Sequence, residues 1–339
     1  MWRNWFVEFG DTNKGRFNSM PASQNTESSH EARSKLKAEM RPRNLTRQWC
    51  LLGVAAAVSF LLYWPALMQL THLVLQDEGY SHIAVVPLVS AWFLWKGRGH
   101  LERSSDRGSR IGAGIAFGLG VFGCATGWVL YRNTIPGYLS VWMLSLVGVW
   151  VGCFLLVFGI DAARKAAFPL AFLLFMVPLP DILLQYVIWY LQNGSAALTY
   201  LIFRLLGVPV YRQGFTFMLP NLNIEIGQEC SGIRSSISLM LTTLMVAQLS
   251  LTSKVNKLLL ALSVVPIAVF KNAVRIVTLS LLSIYVNPSF LTGNLHHRGG
   301  IVFFLLALGL IFGLTELLRR LEARHFNPHQ QVQVSSSEH

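Results

Sequence analysis

Val264-Val265-Pro266-Ile267-Ala268-Val269-Phe270-Lys271-Asn272-Ala273-Val274-Arg275-Ile276-Val277-Thr278-Leu279 places a lysine, an asparagine and an arginine inside an apolar run. The run covers residues 258–285 and exceeds the ~20 residues with which an α-helix crosses a bilayer. Ionisable side chains cost at least ~2.5 kcal/mol each near the bilayer centre, and they usually face a polar cavity. Lys271 and Arg275 are four apart and share one helical face. Arg275 lies about 11 residues, or roughly 16 Å, below a helix end near Val286, too deep for easy snorkelling. A structural ion pair is the plain account of such residues. Acidic partners are scarce, however, with 16 Asp and Glu against 28 Lys and Arg, so an anionic transient or a thiolate fits better.

The rest of the chain has the same character. Of 339 residues, 53% are hydrophobic and 13% charged, and several apolar runs approach the length of a crossing. The fold class is therefore an all-α polytopic membrane protein. The net charge of +12 does not point to nucleic acid, because 21 of the 28 basic residues sit in loops or tails that alternate with basic-poor ones. That alternation orients the chain with its basic loops in the cytoplasm. It predicts crossings at 49–74, 82–96, 111–131, 138–158, 166–180, 232–252, 258–285 and 299–318, about eight in all, with both termini cytoplasmic. A ninth apolar segment, 183–205, would break this parity if it crossed. It carries Gln185, Gln192, Asn193, Ser195 and Thr199, and it is read as an interfacial or re-entrant helix.

Three segments follow from that layout: a polar cytoplasmic head at 1–46, a transmembrane domain at 47–320 and a cytoplasmic tail at 321–339. The head and the end of the tail have the composition of segments without a packed core. The first apolar run begins near Trp49, too late for a cleavable signal peptide, and acts as an uncleaved anchor. Within the outer segment 181–231, Phe215, Phe217, Leu222, Ile224 and Ile226 alternate with other residues across Pro220-Asn221. This predicts a short extracytoplasmic β-hairpin.

The hairpin leads into Glu229-Cys230-Ser231-Gly232-Ile233-Arg234. Cys50, Cys124 and Cys153 lie in apolar runs, where a thiol behaves as a small hydrophobe. Cys230 instead stands among charges at the start of a span, where a helix N-terminus favours the thiolate. His296-His297-Arg298-Gly299-Gly300 precedes the last span on the same outer face. A loop histidine is more often a solvated group. Beside an extracytoplasmic cysteine and an intramembrane arginine it becomes a candidate general base.

With these motifs in place, the chain resembles the exosortase/archaeosortase family of multipass enzymes that process proteins bearing a C-terminal sorting signal. The resemblance runs from about Trp49 to Leu318. Asp77 with Tyr80-Ser81-His82 and Pro87, and Phe168-Pro169-Leu170 with Pro178-Leu179-Pro180, contribute to it. Glu229 to Arg234, Lys271 to Ile276 and His296 to Gly300 carry most of it. It implies that Cys230 is the nucleophile, Arg275 the essential arginine and His296, four before Gly300, the third catalytic group. His297 and Arg298 stay open as alternates for that position, and Lys271 and Asn272 as support.

The implied activity is that of a cysteine peptidase or transpeptidase working through a thioester. Its substrates would be exported proteins carrying a Pro-Glu-Pro-like motif, a transmembrane helix and a basic tail. Arg212, Arg234 and Arg298 are the basic outer groups that could meet the acidic motif residue, and Asp77 and His82 either line the same cavity or cap a helix. Membrane lipids are the other expected partners, the expected location is a bacterial inner membrane, and the oligomeric state is open. A transporter or flippase for a lipid-linked saccharide is the competing class, and it would not need Cys230. No cofactor motif is visible. No metal site is expected either, since His296 and His297 are adjacent and no Cys-x-x-Cys pair exists.

Overall fold

A computed structural model describes residues 46–101, 107–133, 137–220, 222–227, 232–287 and 300–325. The head up to residue 45 and the tail from residue 326 lie outside these. The chain divides between Leu179 and Pro180 into two compact units.

The first unit begins with α1 (Thr46–Leu62) and α2 (Trp64–Gln76), which meet at Tyr63 with a bend of 77°. Pro65, in the first turn of α2, explains the break, because it lacks an N–H and its ring crowds the carbonyl one turn back. The expected single crossing at 49–74 is thus a bent pair. The Tyr63 hydroxyl at the bend donates to the Gly120 carbonyl (3.2 Å) and accepts from Ser145 Oγ (3.0 Å). Trp150 Nε1 donates to Ser59 Oγ at 2.8 Å. These bonds tie the bend to α4 (Arg107–Arg132) and α5 (Tyr138–Phe158).

Helices α4 and α5 approach closely along Gly120, Gly123 and Gly127. A Cβ at these positions would stand 2.5 Å from Val149, 2.6 Å from Ser145 and 2.7 Å from Trp142. Small residues permit such contact in a membrane, where lipid removes the hydrophobic drive to associate. Between α2 and α3 (His82–Gly97), Asp77 Oδ1 accepts the Gly79 N–H at 2.8 Å and His82 Nδ1 bonds the Gly79 carbonyl at 3.0 Å. Both side chains therefore close their own turn.

After α6 (Ile160–Lys165), the segment expected to cross at 166–180 is instead α7 (Ala167–Phe172) and a 3-10 turn, Leu173–Met176. Together they rise roughly 17 Å, short of the ~30 Å hydrocarbon core.

The second unit holds α8 (Asp181–Leu205), a sheet, α9 (Ile233–Ser250), α10 (Lys254–Tyr285) and α11 (Gly300–His325). The sheet has three antiparallel strands in the order β1 (Tyr211–Gln213), β2 (Thr216–Leu219), β3 (Leu222–Glu225). The expected hairpin is two-stranded, whereas here Arg212 also pairs with Phe217 on β2, and Phe217 pairs with Ile224 on β3. On β2, Phe217 and Leu219 point inward and Met218 outward, the period of two that a half-buried strand requires. Phe217 packs with Phe203, Ala196 and Val208 after or within α8 and with Val277 of α10.

A second core joins α9, α10 and α11 through Leu239, Ala247, Leu251, Leu260, Val264, Ala307 and Ile311. At the far end of this bundle, the Glu322 carboxylate of α11 accepts four hydrogen bonds: from Thr252 N (2.9 Å), Thr252 Oγ1 (2.8 Å), Ser253 N (3.0 Å) and Asn256 Nδ2 (2.9 Å). It caps α10 from outside, satisfying N–H groups that a helix start leaves unpaired.

The polar residues that led α8 to be read as an interfacial or re-entrant helix face the protein interior. Gln192, Ser195 and Thr199 are buried, while Ile182, Leu183, Tyr186, Trp189, Tyr190 and Leu205 are exposed. Polar inside and apolar outside is the pattern of a helix in an apolar solvent. Gly194 faces Val269, Ser195 bonds Asn272, and Phe203 shares a core with Val277. Positions along the second half of α8 therefore advance in the same sense as those of α10.

Among the described residues, four helices are long and apolar enough to cross a membrane: α4 from Ile111, α5, α10 and α11. The number rises to six if each of two bent pairs is one span. Eight is not reached on that basis, because α3 has 16 residues and α9 carries Arg234, Ser235, Ser236, Thr242 and Thr243.

The Glu322 cap generates a prediction. Glu322→Ala should cost about 1–2 kcal/mol, since several hydrogen bonds to one partly exposed charge are lost together. Glu322→Gln should cost less. Thermal unfolding in detergent, followed by tryptophan fluorescence, reads both, and an unchanged midpoint for Glu322→Ala would exclude the capping role.

Candidate active site

The α9 helix starts at Gly232, whose φ of +72° is left-handed and disfavours any side chain. Its carbonyl accepts from Ser236 N (2.9 Å), Ser236 Oγ (2.8 Å) and Ser235 Oγ (3.0 Å). Ser235 Oγ in turn accepts from Lys271 Nζ on α10. The other side of Gly232 lies against Asn272, since a Cβ there would stand 3.2 Å from Asn272 Oδ1, 3.3 Å from its Cγ and 3.6 Å from Lys271 Nζ. Asn272 Nδ2 donates to Ser195 Oγ on α8 at 3.1 Å. Lys271 is 3% exposed, Asn272 1% and Ser195 0%, so this contact between three elements is sealed from solvent.

Lys271 makes no ion pair among the described residues. Arg275, partly buried, follows it one turn later on the same face. The α9 N-terminus adds a positive dipole end. Positive charge thus accumulates at one place, which suits an anion or a developing negative charge.

The neighbouring helices give Arg275 a second reference besides the end of its own helix. The 18 residues of α9 rise about 27 Å from an N-terminal end that lies level with Lys271 and Asn272. Helix α10, at 32 residues and about 48 Å, overshoots α9 and carries the sheet on its last turns. Lys271 and Arg275 stand where α9 begins.

The start of α11 reaches the same level. From the Glu322 cap to Gly300 is 22 residues, about 33 Å, and from Asn256 at that cap to Arg275 is 19 residues, about 29 Å. Gly232, Arg275 and Gly300 therefore occupy one end of the α9–α10–α11 bundle.

Of the residues the sequence singles out, Lys271, Asn272 and Arg275 are placed at this site. Cys230, two residues before Gly232, lies outside the described residues. So do His296, His297 and Arg298, two to four residues before Gly300. Arg212 is engaged elsewhere, its Nε donating to the Gly214 carbonyl (2.8 Å) and a terminal nitrogen to Asn193 Oδ1 (3.3 Å). Arg234 is exposed in the first turn of α9. Among the described residues no three His, Cys, Asp or Glu side chains gather to hold a metal.

Sequence reasoning missed Ser195, Ser235 and Gln192, whose Nε2 donates to the Ile226 carbonyl below the sheet. A signal was present: Gln192, Ser195 and Thr199 follow i, i+3, i+7 and share one face of an otherwise apolar helix.

Gly232→Ala is the direct test of this turn. The added methyl meets Asn272 at 3.2–3.3 Å and forces the residue into a left-handed conformation, at a cost of about 1–3 kcal/mol. We expect a lower unfolding midpoint and at least a tenfold slower turnover, measured on the purified protein. Wild-type values for both would show that the turn tolerates a side chain.

The family model for transmembrane exosortases (Exosortase_EpsH) matches residues 74–313. No curated protein and no solved structure matches the chain. The matched range runs from the end of α2 into α11, contains Gly232, Lys271, Asn272 and Arg275, and covers more than half of the 339 residues, so the chain belongs to the transmembrane exosortase family.

Proposed function

We propose that this protein is a membrane-embedded cysteine peptidase or transpeptidase that cleaves C-terminal sorting signals of exported proteins. The observation that supports it is the gathering of Gly232, Lys271, Arg275 and Gly300 at one end of one helix bundle. Cys230 is two residues from Gly232, and two residues of chain reach at most about 7 Å. His296 precedes Gly300 by four residues.

In this reading the Cys230 thiolate attacks the carbonyl carbon of the scissile peptide, and the carbonyl electron pair moves onto oxygen. The Arg275 guanidinium holds that oxyanion, and Lys271 adds to the positive field. The C–N bond then breaks as the His296 imidazolium gives its proton to the leaving amine, which leaves a thioester. Water, or an acceptor amine, attacks the thioester carbonyl and gives its proton to His296. The thiolate departs with the acid or new amide released. His297 and Arg298 flank His296 and are the alternates for its role.

The site faces the outer side of a bacterial inner membrane, with both termini in the cytoplasm. The α7–α8 segment then serves as one outward pass, in the sense of α10, and eight passes satisfy the basic-loop pattern. Substrates carry a motif of the Pro-Glu-Pro type and a transmembrane helix, which fits the exposed apolar surface of the bundle.

Cys230→Ser should abolish processing of a co-expressed tagged substrate, followed by gel mobility, and Arg275→Lys should slow it at least about a hundredfold. In the wild type, mass spectrometry should find a thioester between Cys230 and the substrate fragment. Undiminished processing by Cys230→Ser would eliminate the thiol mechanism.

A further inference from the structure

Helix α8 contributes no residue to the three motifs, yet it touches the site through one hydroxyl. Ser195 is fully buried and its Oγ accepts from Asn272 Nδ2 at 3.1 Å. Asn272 presents its other end to the α-carbon side of Gly232. Lys271, the preceding residue, holds the carbonyl side of the same glycine through Ser235. The peptide that follows the cysteine motif is thus gripped from two sides by adjacent residues of α10, and one of the two is oriented by α8. Thr199, one turn further along α8, is just as buried, and its Oγ1 has no hydrogen-bond partner among the described residues. Burial alone therefore does not explain Ser195.

We infer that Ser195 is a positioning residue of the site, which orients the Asn272 amide and so fixes the Gly232 turn against the charged face of α10. The inference rests on the peptidase reading of that site. An amide group in a buried pocket can rotate about its terminal bond, and an acceptor placed on its nitrogen side favours one orientation. With that acceptor removed, the Asn272 amide loses its bond to α8 and is held less firmly. The Gly232 turn then loses the surface that sets its distance from Lys271 and Arg275. Small displacements of this kind cost rate and leave substrate binding nearly intact.

The test uses full-length protein in detergent with Cys50, Cys124 and Cys153 replaced by alanine, so that Cys230 is the one thiol. Ser195→Ala is compared with Thr199→Ala, which removes an equally buried hydroxyl outside the network. Two readouts are taken: kcat and KM for substrate processing, and the pH profile of Cys230 alkylation by iodoacetamide. We expect Ser195→Ala to lower kcat about tenfold with KM within about twofold, and to move the alkylation profile toward higher pH. Thr199→Ala should match the parent in both. The double variant Ser195→Ala/Asn272→Ala should be no slower than Asn272→Ala alone, because the two residues act as one unit.

Ser195→Ala matching Thr199→Ala in both readouts would overturn the inference, as would strictly additive losses in the double variant. Failure of the peptidase reading itself looks different: Cys230→Ser would still process substrate. The alkylation profile of Ser195→Ala would remain readable in that case.

Discussion

A buried ammonium and a buried amide, adjacent on α10, determine how the second unit fits together. Lys271 and Asn272 cannot be left without polar partners at 3% and 1% exposure, since an unsatisfied buried polar group costs as much as several apolar contacts provide. Their partners come from different elements: Ser235 on α9, Ser195 on α8 and the Gly232 turn between sheet and helix. Two consecutive residues thereby set the height of α9, the facing of α8 and the place where the cysteine motif meets the bundle. Hydrogen bonding is directional, so it selects one register among the many that apolar side chains alone would tolerate.

The length mismatch between α9 and α10 has a functional consequence. Because α10 outruns α9 by several turns, its upper half leaves the three-helix core and becomes the wall on which the sheet and the end of α8 pack. The basic residues stand at the step where one helix begins and the other continues. At the opposite end, the Glu322 cap sets the height of α11 relative to α10. The distance between a structural carboxylate and the site is thus a matter of helix rise.

Much of this was legible in the residues themselves. Apolar runs of bilayer length, alternating basic loops, and ions stranded inside a span are one-dimensional signals. Helix period alone puts Lys271 and Arg275 on one face. The strand alternation at Phe217 and Ile224 could also be read, although the first strand, Tyr211–Gln213, is too short and too polar to announce itself. The polar residues outside the motifs were harder to place. Gln192, Ser195 and Thr199 read as signs of an interfacial or re-entrant helix, and the structure buries all three, Gln192 and Ser195 in hydrogen bonds. Asp77 and His82, read as lining a cavity or capping a helix, both bond Gly79 in the turn between α2 and α3. Polarity in a sequence tells that a partner is needed and does not tell which partner supplies it.

The sequence by itself determined that this chain lives in a membrane, which loops carry the basic charge, and which ionisable residues are stranded inside an apolar run, because those properties belong to single residues or to their spacing along one helix. Only the tertiary structure decided that α8 runs beside α10 with its polar face inward, that α9 begins level with Lys271, and that a serine outside every motif touches the site. Such facts depend on the relative height and rotation of separate helices, and these are set by contacts between residues dozens of positions apart, to which no local pattern is sensitive.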